Sequence, residues 1–280
     1  MSDILELFSM YVDKNGEKLI ENAISKSEKP SPQPKEPKTR YVDCPNGRVF
    51  YANEESKSGI TVFYLHGGAY FMDFTRAHWK LMNTLVKEAD AQVIAPAYRL
   101  LPFATWKEAF DLIIPLYKEY CEVNPDKKII IMGDSAGGGL SLAVTEQLKA
   151  DGIRMPDELV LLSPWVDVSM ENEEIKDYES KDPFLTPTPL KICAEYWRGE
   201  LDVHDWRVSP IYGDLKGIRN VTVFSGTDEI LYPDAAKFFK MLDDASNEMI
   251  VAQDMNHVYP LFPIPEAKPA VDKIIQVVTR

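Results

Sequence analysis

Ser135 lies at the centre of the pattern Gly-Asp-Ser-Ala-Gly, after an apolar run and before a segment whose apolar residues have helical spacing. This order predicts a strand, a sharp turn and a helix, an arrangement known as a nucleophile elbow. The serine would then lie at a helix N-terminus, where unpaired N–H groups favour a developing oxyanion. A glycine-rich turn for nucleotide phosphates is the alternative, but the chain has neither Gly-x-Gly-x-x-Gly nor Gly-Lys-Ser/Thr. We therefore predict that Ser135 is the nucleophile of an acyl-transfer reaction.

A second glycine pattern, His66-Gly67-Gly68-Ala69-Tyr70, follows directly on a predicted buried strand. Acyl transfer needs N–H donors aimed at the carbonyl oxygen as it becomes tetrahedral, and glycines after a strand let bare backbone reach the substrate. The candidate donors are the N–H groups of Gly67 and Gly68, with that of Ala136 as the third. A simple strand-to-loop turn would explain the glycines, but not their place 69 residues before the elbow serine.

A serine hydroxyl needs a base, and the chain offers four histidines. His66 belongs to the glycine loop, whereas His78 and His204 lie in segments rich in tryptophan and charge with no strand immediately before them. His257 follows a late strand in a loop near the C-terminus, where the chain order serine, acid, histidine places the base. His257 is therefore the predicted base.

The carboxylate that orients the base is predicted to be Asp228, which follows an apolar strand and a glycine turn. Three other carboxylates are rivals. Glu229 is adjacent but is expected to point to the other side of the turn, and Asp234 is expected in the first turn of a helix, where its charge favours the helix dipole. Asp254 is too near the base in sequence to reach its Nδ1 easily.

With these residues in place, the chain resembles the hormone-sensitive-lipase-like carboxylesterases, a branch of the α/β-hydrolases, from about Thr61 to Pro260. The resemblance rests on His66-Gly67-Gly68-Ala69-Tyr70, Tyr98-Arg99-Leu100, Gly133-Asp134-Ser135-Ala136-Gly137-Gly138, Asp182-Pro183, Ser209-Pro210, Gly226-Thr227-Asp228 and His257. The chain departs from the family at Ala69, where a third glycine is usual, and at Ala97, where an acidic residue is usual. The resemblance implies hydrolysis of short to medium acyl esters.

The elements that must position these residues can be read from the alternation of apolar strands with helical segments. The strands are predicted near 60–65, 91–96, 128–132, 159–163, 221–225 and 249–253. This alternation, after a hairpin around Pro45-Asn46-Gly47, predicts an α/β fold with a mostly parallel, doubly wound sheet. We predict N-terminal helices and a linker in residues 1–39 and an α/β-hydrolase domain in residues 40–280, with a helical cap inserted at about 170–206.

The resemblance implies that the insertion and the N-terminal helices, to about residue 25, form a cap over the serine. Their aromatic content exceeds that of a solvated loop, which favours a cap over a surface excursion without a role in binding. The predicted pocket residues are Tyr70, Asp134, Trp165, Phe184, Trp197 and Trp206. A capped pocket next to Trp165 indicates a bounded acyl site, for acetate to hexanoate.

Composition excludes several other classes. The net charge of −13 argues against nucleic-acid partners and against anionic membrane surfaces. Three widely spaced cysteines, Cys44, Cys121 and Cys193, indicate reduced thiols and neither a disulfide framework nor a metal site. With no recognisable signal peptide or membrane span, a cytoplasmic protein without cofactor is expected. The oligomeric state is left open, a homodimer included.

The prediction is a serine esterase that acts through an acyl-enzyme intermediate on a small-molecule ester. Two alternatives within the hydrolases are an acetyl-sugar deacetylase and an arylformamidase, which also uses a His-Gly-Gly loop. A ligand-binding receptor on the same fold is an alternative of another class, known among relatives that lack the catalytic histidine. The presence of His257 favours an enzyme. A structural protein would leave the glycine loop unexplained.

Overall fold

The structure is a computed structural model that describes Ser25 and residues 28–280 of the 280-residue chain. The N-terminal helices predicted before residue 25, and with them the N-terminal part of the predicted cap, lie outside the described residues. Within the described part, no helix combines the length and apolarity that crossing a membrane would require.

An eight-stranded sheet forms the centre of the molecule. Its strands are β1 (Thr39–Cys44), β2 (Gly47–Ala52), β3 (Ile60–Leu65), β4 (Gln92–Tyr98), β5 (Lys128–Asp134), β6 (Glu158–Leu162), β7 (Val221–Asp228) and β8 (Glu248–Asn256). Their order across the sheet is β1-β2-β4-β3-β5-β6-β7-β8. β2 is antiparallel to both of its neighbours, and every other pair is parallel. The predicted hairpin and mostly parallel sheet are confirmed.

Helices cover both faces of this sheet. They are α1 (Arg76–Ala89), α2 (Trp106–Val123), α3 (Ser135–Ala150), α4 (Pro187–Arg198), α5 (Tyr232–Met241) and α6 (Ala267–Thr279). Buried residues of α1 and α6 form the core on one face, and buried residues of α2, α3, α4 and α5 form the core on the other. The chain therefore has the doubly wound α/β architecture that the alternation of elements predicts.

The central strands are mostly apolar because both of their faces are buried. In β5, Ile129 and Ile131 join the core beneath α2 and α3, whereas Ile130 and Met132 join the core beneath α1 and α6. Successive side chains of a strand point to opposite faces, so a continuous apolar run is needed to fill both cores. This packing fixes the position of the carboxyl end of β5, where the elbow begins.

The insertion between β6 and β7 contains short 3-10 turns at Glu173–Asp177 and Pro210–Tyr212 and the helix α4. α4 begins after Thr186, with Pro187 at its first position. Proline suits this position because the first N–H groups of a helix have no partner within it. Leu190, Cys193, Ala194 and Trp197 form the buried face of α4.

Candidate active site

Ser135 occupies the sharp turn between β5 and α3 with φ of 52°, in the left-handed region that non-glycine residues rarely adopt. The glycines on either side of it are required because other backbone atoms come too close to leave room for a side chain. A Cβ at Gly133 would collide with the carbonyl oxygen of Gly137, and a Cβ at Gly137 would collide with the carbonyl oxygens of Leu65 and His66. The elbow therefore brings α3 directly against β5 and against the start of the glycine loop, with the serine at the helix N-terminus.

His257 follows β8, and its Nε2 lies 2.9 Å from the Oγ of Ser135. The ring is almost completely buried. The next residue, Val258, has φ of 50° and donates its N–H to the Oγ of Ser163 at 2.9 Å. This bond fixes the loop after β8 to the end of β6, and so places the imidazole beside the serine.

Glu229, and not Asp228, is the carboxylate beside the base. Its Oε2 lies 2.6 Å from Nδ1 of His257, whereas the carboxylate of Asp228 accepts from the hydroxyl of Thr227 at 3.4 Å. The prediction that Asp228 contacts His257 is therefore wrong. The pairing of β7 with β8 is irregular at this point, between Gly226 and Asp228. The two adjacent carboxylates contact different groups, as expected, but the one that reaches the base belongs to Glu229.

The predicted oxyanion donors also need one correction. The N–H of Gly67 donates to Oδ1 of Asp134 at 3.1 Å, so it is not free for a substrate oxygen. Among residues 28–280, the N–H groups of Gly68 and Ala69 have no hydrogen-bond partner. Ala136 is the second residue of α3, where an N–H has no acceptor within its own helix. The available donors near Ser135 are thus those of Gly68, Ala69 and Ala136.

Asp134 was predicted to line the pocket, but this prediction is wrong, because the residue is buried behind the glycine loop. Its Oδ1 accepts from the hydroxyl of Tyr64 at 2.7 Å, and its Oδ2 lies 3.2 Å from Nε2 of His78. The N–H of Thr75 donates to Nδ1 of His78, so Nε2 carries the ring proton and donates it to Asp134. Burial opposes the charge, but His78 and these other donors outweigh it and lower the pKa of Asp134.

His66, the first residue of the glycine loop, is buried and lies flat against Tyr98 with ring centroids 4.5 Å apart. The hydroxyl of Tyr98 donates to the carbonyl oxygen of His66 at 2.6 Å. Burial lowers the pKa of His66, which favours its neutral form. The ring is therefore part of the support of the glycine loop.

Three predicted pocket residues form one aromatic stack beside the elbow. Tyr70 lies face to face with Trp197 at 3.8 Å and packs on Trp165 at 5.7 Å between ring centroids. All three side chains are at least 99% buried. The backbone N–H of Trp165 donates to the carbonyl oxygen of Ser135 at 2.9 Å. The stack thus fixes α4 of the insertion against both the glycine loop and the elbow.

The other two predicted pocket residues lie elsewhere. Phe184 is 55% exposed and stacks on Phe262, at 5.4 Å, in the loop that follows His257. Trp206 lines a separate cavity of about 670 Å³ together with Glu146. Glu146 is eleven residues along α3 from the serine, which corresponds to about 16 Å of helix. The prediction that Trp206 lines the pocket of Ser135 is therefore wrong.

Within the described part of the chain, no group of three or more histidine, cysteine or acidic side chains is placed to hold a metal ion. Cys44, Cys121 and Cys193 are free thiols, the last two of them buried. His204 lies 3.2 Å from the carboxylates of both Glu171 and Asp202 and is far from buried. Ser135 can therefore pass its proton to His257, whose ring Glu229 orients, and the loop N–H groups can hold a negative oxygen.

The chain is similar to known proteins in both sequence and structure. A family model described as alpha/beta hydrolase fold matches residues 62–261. An esterase of Acinetobacter venetianus is 34% identical over 187 residues, which are 66% of this chain and 61% of that protein. An acetyl-hydrolase of Streptomyces hygroscopicus is 28% identical over 221 residues, 77% of this chain and 74% of that protein. The match thus spans only part of the length of these relatives.

Solved structures also resemble this chain. A hormone-sensitive lipase from a metagenome library has a TM-score of 0.82 at 25% identity, covering 99% of this chain and 97% of that one. The hormone-sensitive-lipase homologue EstE7, also from a metagenome library, has a TM-score of 0.82 at 26% identity with the same coverage.

Proposed function

This chain belongs to the alpha/beta hydrolase family, in its hormone-sensitive-lipase-like branch, and we propose that it is a serine esterase for short to medium acyl carboxylic esters. One observation carries the proposal. Oγ of Ser135 lies 2.9 Å from Nε2 of His257, and Nδ1 of the same ring lies 2.6 Å from the carboxylate of Glu229. A nucleophile, a base and an orienting acid in this order are the machinery of serine acyl transfer.

In the proposed reaction, Oγ of Ser135 attacks the ester carbonyl carbon while Nε2 of His257 takes the hydroxyl proton. The carbonyl oxygen becomes negative and accepts from the N–H groups of Gly68, Ala69 and Ala136, aided by the N-terminus of α3. The tetrahedral intermediate collapses, and His257 gives its proton to the departing alcohol. Glu229 stays ionised and holds the ring in the tautomer that leaves Nε2 free to act.

The second half of the reaction repeats these steps with water. His257 takes a proton from the water as its oxygen attacks the acyl carbon bound to Ser135. Collapse then returns the proton to the serine oxygen and releases the carboxylic acid. Because the protons pass only between the serine, the imidazole, water and the leaving group, the reaction needs no oxidant or reductant.

The size of the acyl group is proposed from the aromatic stack. Tyr70, Trp165 and Trp197 fill the space beside the elbow and are almost fully buried, so they bound any acyl site that opens there. This supports acyl chains from acetyl to hexanoyl over long-chain fats. The name of the acetyl-hydrolase of Streptomyces hygroscopicus favours the short end of this range, and an acetylated alcohol such as an acetyl sugar is the second candidate substrate.

We also propose that residues 170–206 act as a cap. Two contacts support this role. Trp197 of the insertion stacks on Tyr70 of the glycine loop, and Oδ2 of Asp182 accepts from the N–H of Ile230 at 2.9 Å, next to Glu229. The insertion therefore touches both sides of the proposed site, where it would exclude water and bound the substrate.

A panel of p-nitrophenyl esters from acetate to decanoate, with acetylated sugars and an aryl formamide beside it, tests the activity. We expect turnover of the short esters by the wild-type chain and a fall of about 10⁶-fold in kcat for Ser135→Ala, with little further loss on adding His257→Ala, because triad members act as a unit. A fluorophosphonate probe should label Ser135, as shown by peptide mass spectrometry. Absence of both labelling and turnover in folded wild-type protein would favour a ligand-binding receptor.

A further inference from the structure

Ser225 lies on β7, four residues before the acid of the proposed triad, and is completely buried. Its hydroxyl donates to Oε1 of Glu229, and the N–H of Gly226 donates to the same oxygen at 3.0 Å. The other oxygen, Oε2, faces Nδ1 of His257. The two carboxylate oxygens therefore have separate tasks, one toward the strand and one toward the imidazole.

The carboxylate of Glu229 needs hydrogen-bond donors at both oxygens, because the residue is fully buried. An ionised carboxylate accepts hydrogen bonds and donates none, and leaving it without donors away from water is costly. Two donors at Oε1 satisfy that oxygen and leave Oε2 to the imidazole. Hydrogen bonds to a charged group are also stronger than those between neutral groups, so the hydroxyl of Ser225 holds the carboxylate firmly.

A glutamate has one more rotatable bond than an aspartate, so its carboxylate needs more restraint to stay in one orientation. The backbone beyond Glu229 is fixed by the bond from the N–H of Ile230 to Asp182. The side chain is fixed by Ser225 and Gly226. Only the bond from Ser225 depends on a side chain of β7, and it can be removed without changing the backbone.

We propose that Ser225 is a positioning residue of the esterase, which holds the Glu229 carboxylate in the orientation that presents Oε2 to His257. The inference rests on the proposed function, because it gives a role to a neighbour of the triad. Ser225 touches neither the substrate nor the reacting atoms, and acts through the acid alone.

The test compares Ser225→Ala, Ser225→Cys and Thr222→Val. Cysteine nearly keeps the shape of serine but donates weakly, and alanine does not donate. Thr222 is the matched control, because it is a fully buried residue of the same strand whose hydroxyl has no partner within the described residues. Two readouts are used, the kinetics with p-nitrophenyl acetate and the downfield proton resonance of the hydrogen bond between His257 and Glu229.

We expect kcat to fall about tenfold in Ser225→Ala, less in Ser225→Cys and not in Thr222→Val, with KM within about twofold throughout. The downfield resonance should broaden or shift in the same order. Wild-type kcat or an unchanged resonance in folded Ser225→Ala would overturn the proposal. If circular dichroism shows that Ser225→Ala is unfolded, Ser225→Cys is judged by the same criteria. If wild-type protein hydrolyses no ester, the proposed function fails, while the resonance still decides whether Ser225 positions Glu229.

Discussion

The N–H of Gly67 donates to a carboxylate oxygen of Asp134, the residue immediately before the nucleophile, across 67 positions of sequence. This bond joins the two segments that must cooperate in the proposed reaction, the glycine loop after β3 and the elbow after β5. It also turns Gly67 away from the substrate and leaves the next two N–H groups of the loop available. The loop is thus held in register with the serine by a side chain of the elbow.

The first prediction concerns this bond. Asp134→Asn removes the charge that His78 faces and sets an amide donor against the Nε2 proton of that ring. The side chain is then forced out of the position in which it accepts from Gly67, so the glycine loop should lose its fixed place. We expect kcat to fall about tenfold with KM nearly unchanged, and the free energy of unfolding to fall by about 1–3 kcal/mol. Tyr64→Phe is the control, because it removes one donor and leaves the bond from Gly67 intact. Urea denaturation and steady-state kinetics measure both effects, and wild-type kcat in folded Asp134→Asn would contradict the prediction.

The second prediction separates the two adjacent carboxylates. Glu229→Gln keeps the shape of the side chain but cannot hold the imidazole in the required tautomer, so kcat should fall about 10³- to 10⁴-fold. Asp228→Asn, one residue earlier, should stay within about twofold of wild type, because its carboxylate meets Thr227 and not the base. Steady-state kinetics on p-nitrophenyl acetate decide between them. A large loss in Asp228→Asn with little loss in Glu229→Gln would reverse the assignment.

The third prediction tests the aromatic stack as the boundary of the acyl site. Trp197→Ala removes a buried ring from beside the elbow, so the preference should move toward longer acyl chains, measured as kcat/KM from p-nitrophenyl acetate to decanoate. Trp206→Ala is the matched control, because Trp206 lines the cavity at Glu146 instead. Removing a buried tryptophan costs about 3–5 kcal/mol, so folding is checked first by circular dichroism. The same chain-length profile in both variants would exclude Trp197 from the acyl site.

The fourth prediction concerns stability and pH. Burial raises the pKa of Glu146 to about 9 from its ordinary value of 4.5. Between these two values the folded chain holds a proton that the unfolded chain has released, so the free energy of unfolding falls as pH rises, by at most about 1.4 kcal/mol per unit. Glu146→Gln mimics the protonated form and should remove this loss.

Urea denaturation at pH 5, 7 and 9 measures the effect. The stability of Glu146→Gln relative to wild type should increase with pH, whereas exposed Glu122→Gln should show no such trend. A constant difference between Glu146→Gln and wild type across this range would mean that Glu146 titrates normally in the folded chain.

The sequence by itself determined the parts of this protein that depend on local order. Ser135 and His257 were predicted correctly as neighbours, because a strand, a tight glycine turn and a helix leave a pattern of adjacent residues, and because both residues follow strands of one parallel sheet. Apolar runs buried on both faces likewise determined the five strands β3 to β7, and a further apolar run determined the edge strand β8.

The tertiary structure decided which of several neighbouring groups reaches the site. The contact between Glu229 and His257 selects Glu229 over Asp228, and the carboxylate of Asp134 accepts from the N–H of Gly67. The path of the insertion brings Trp197 to the elbow and takes Trp206 to another cavity. Each choice depends on a contact between residues far apart in sequence. Such contacts leave no trace in local composition, so they are decided only in the folded chain.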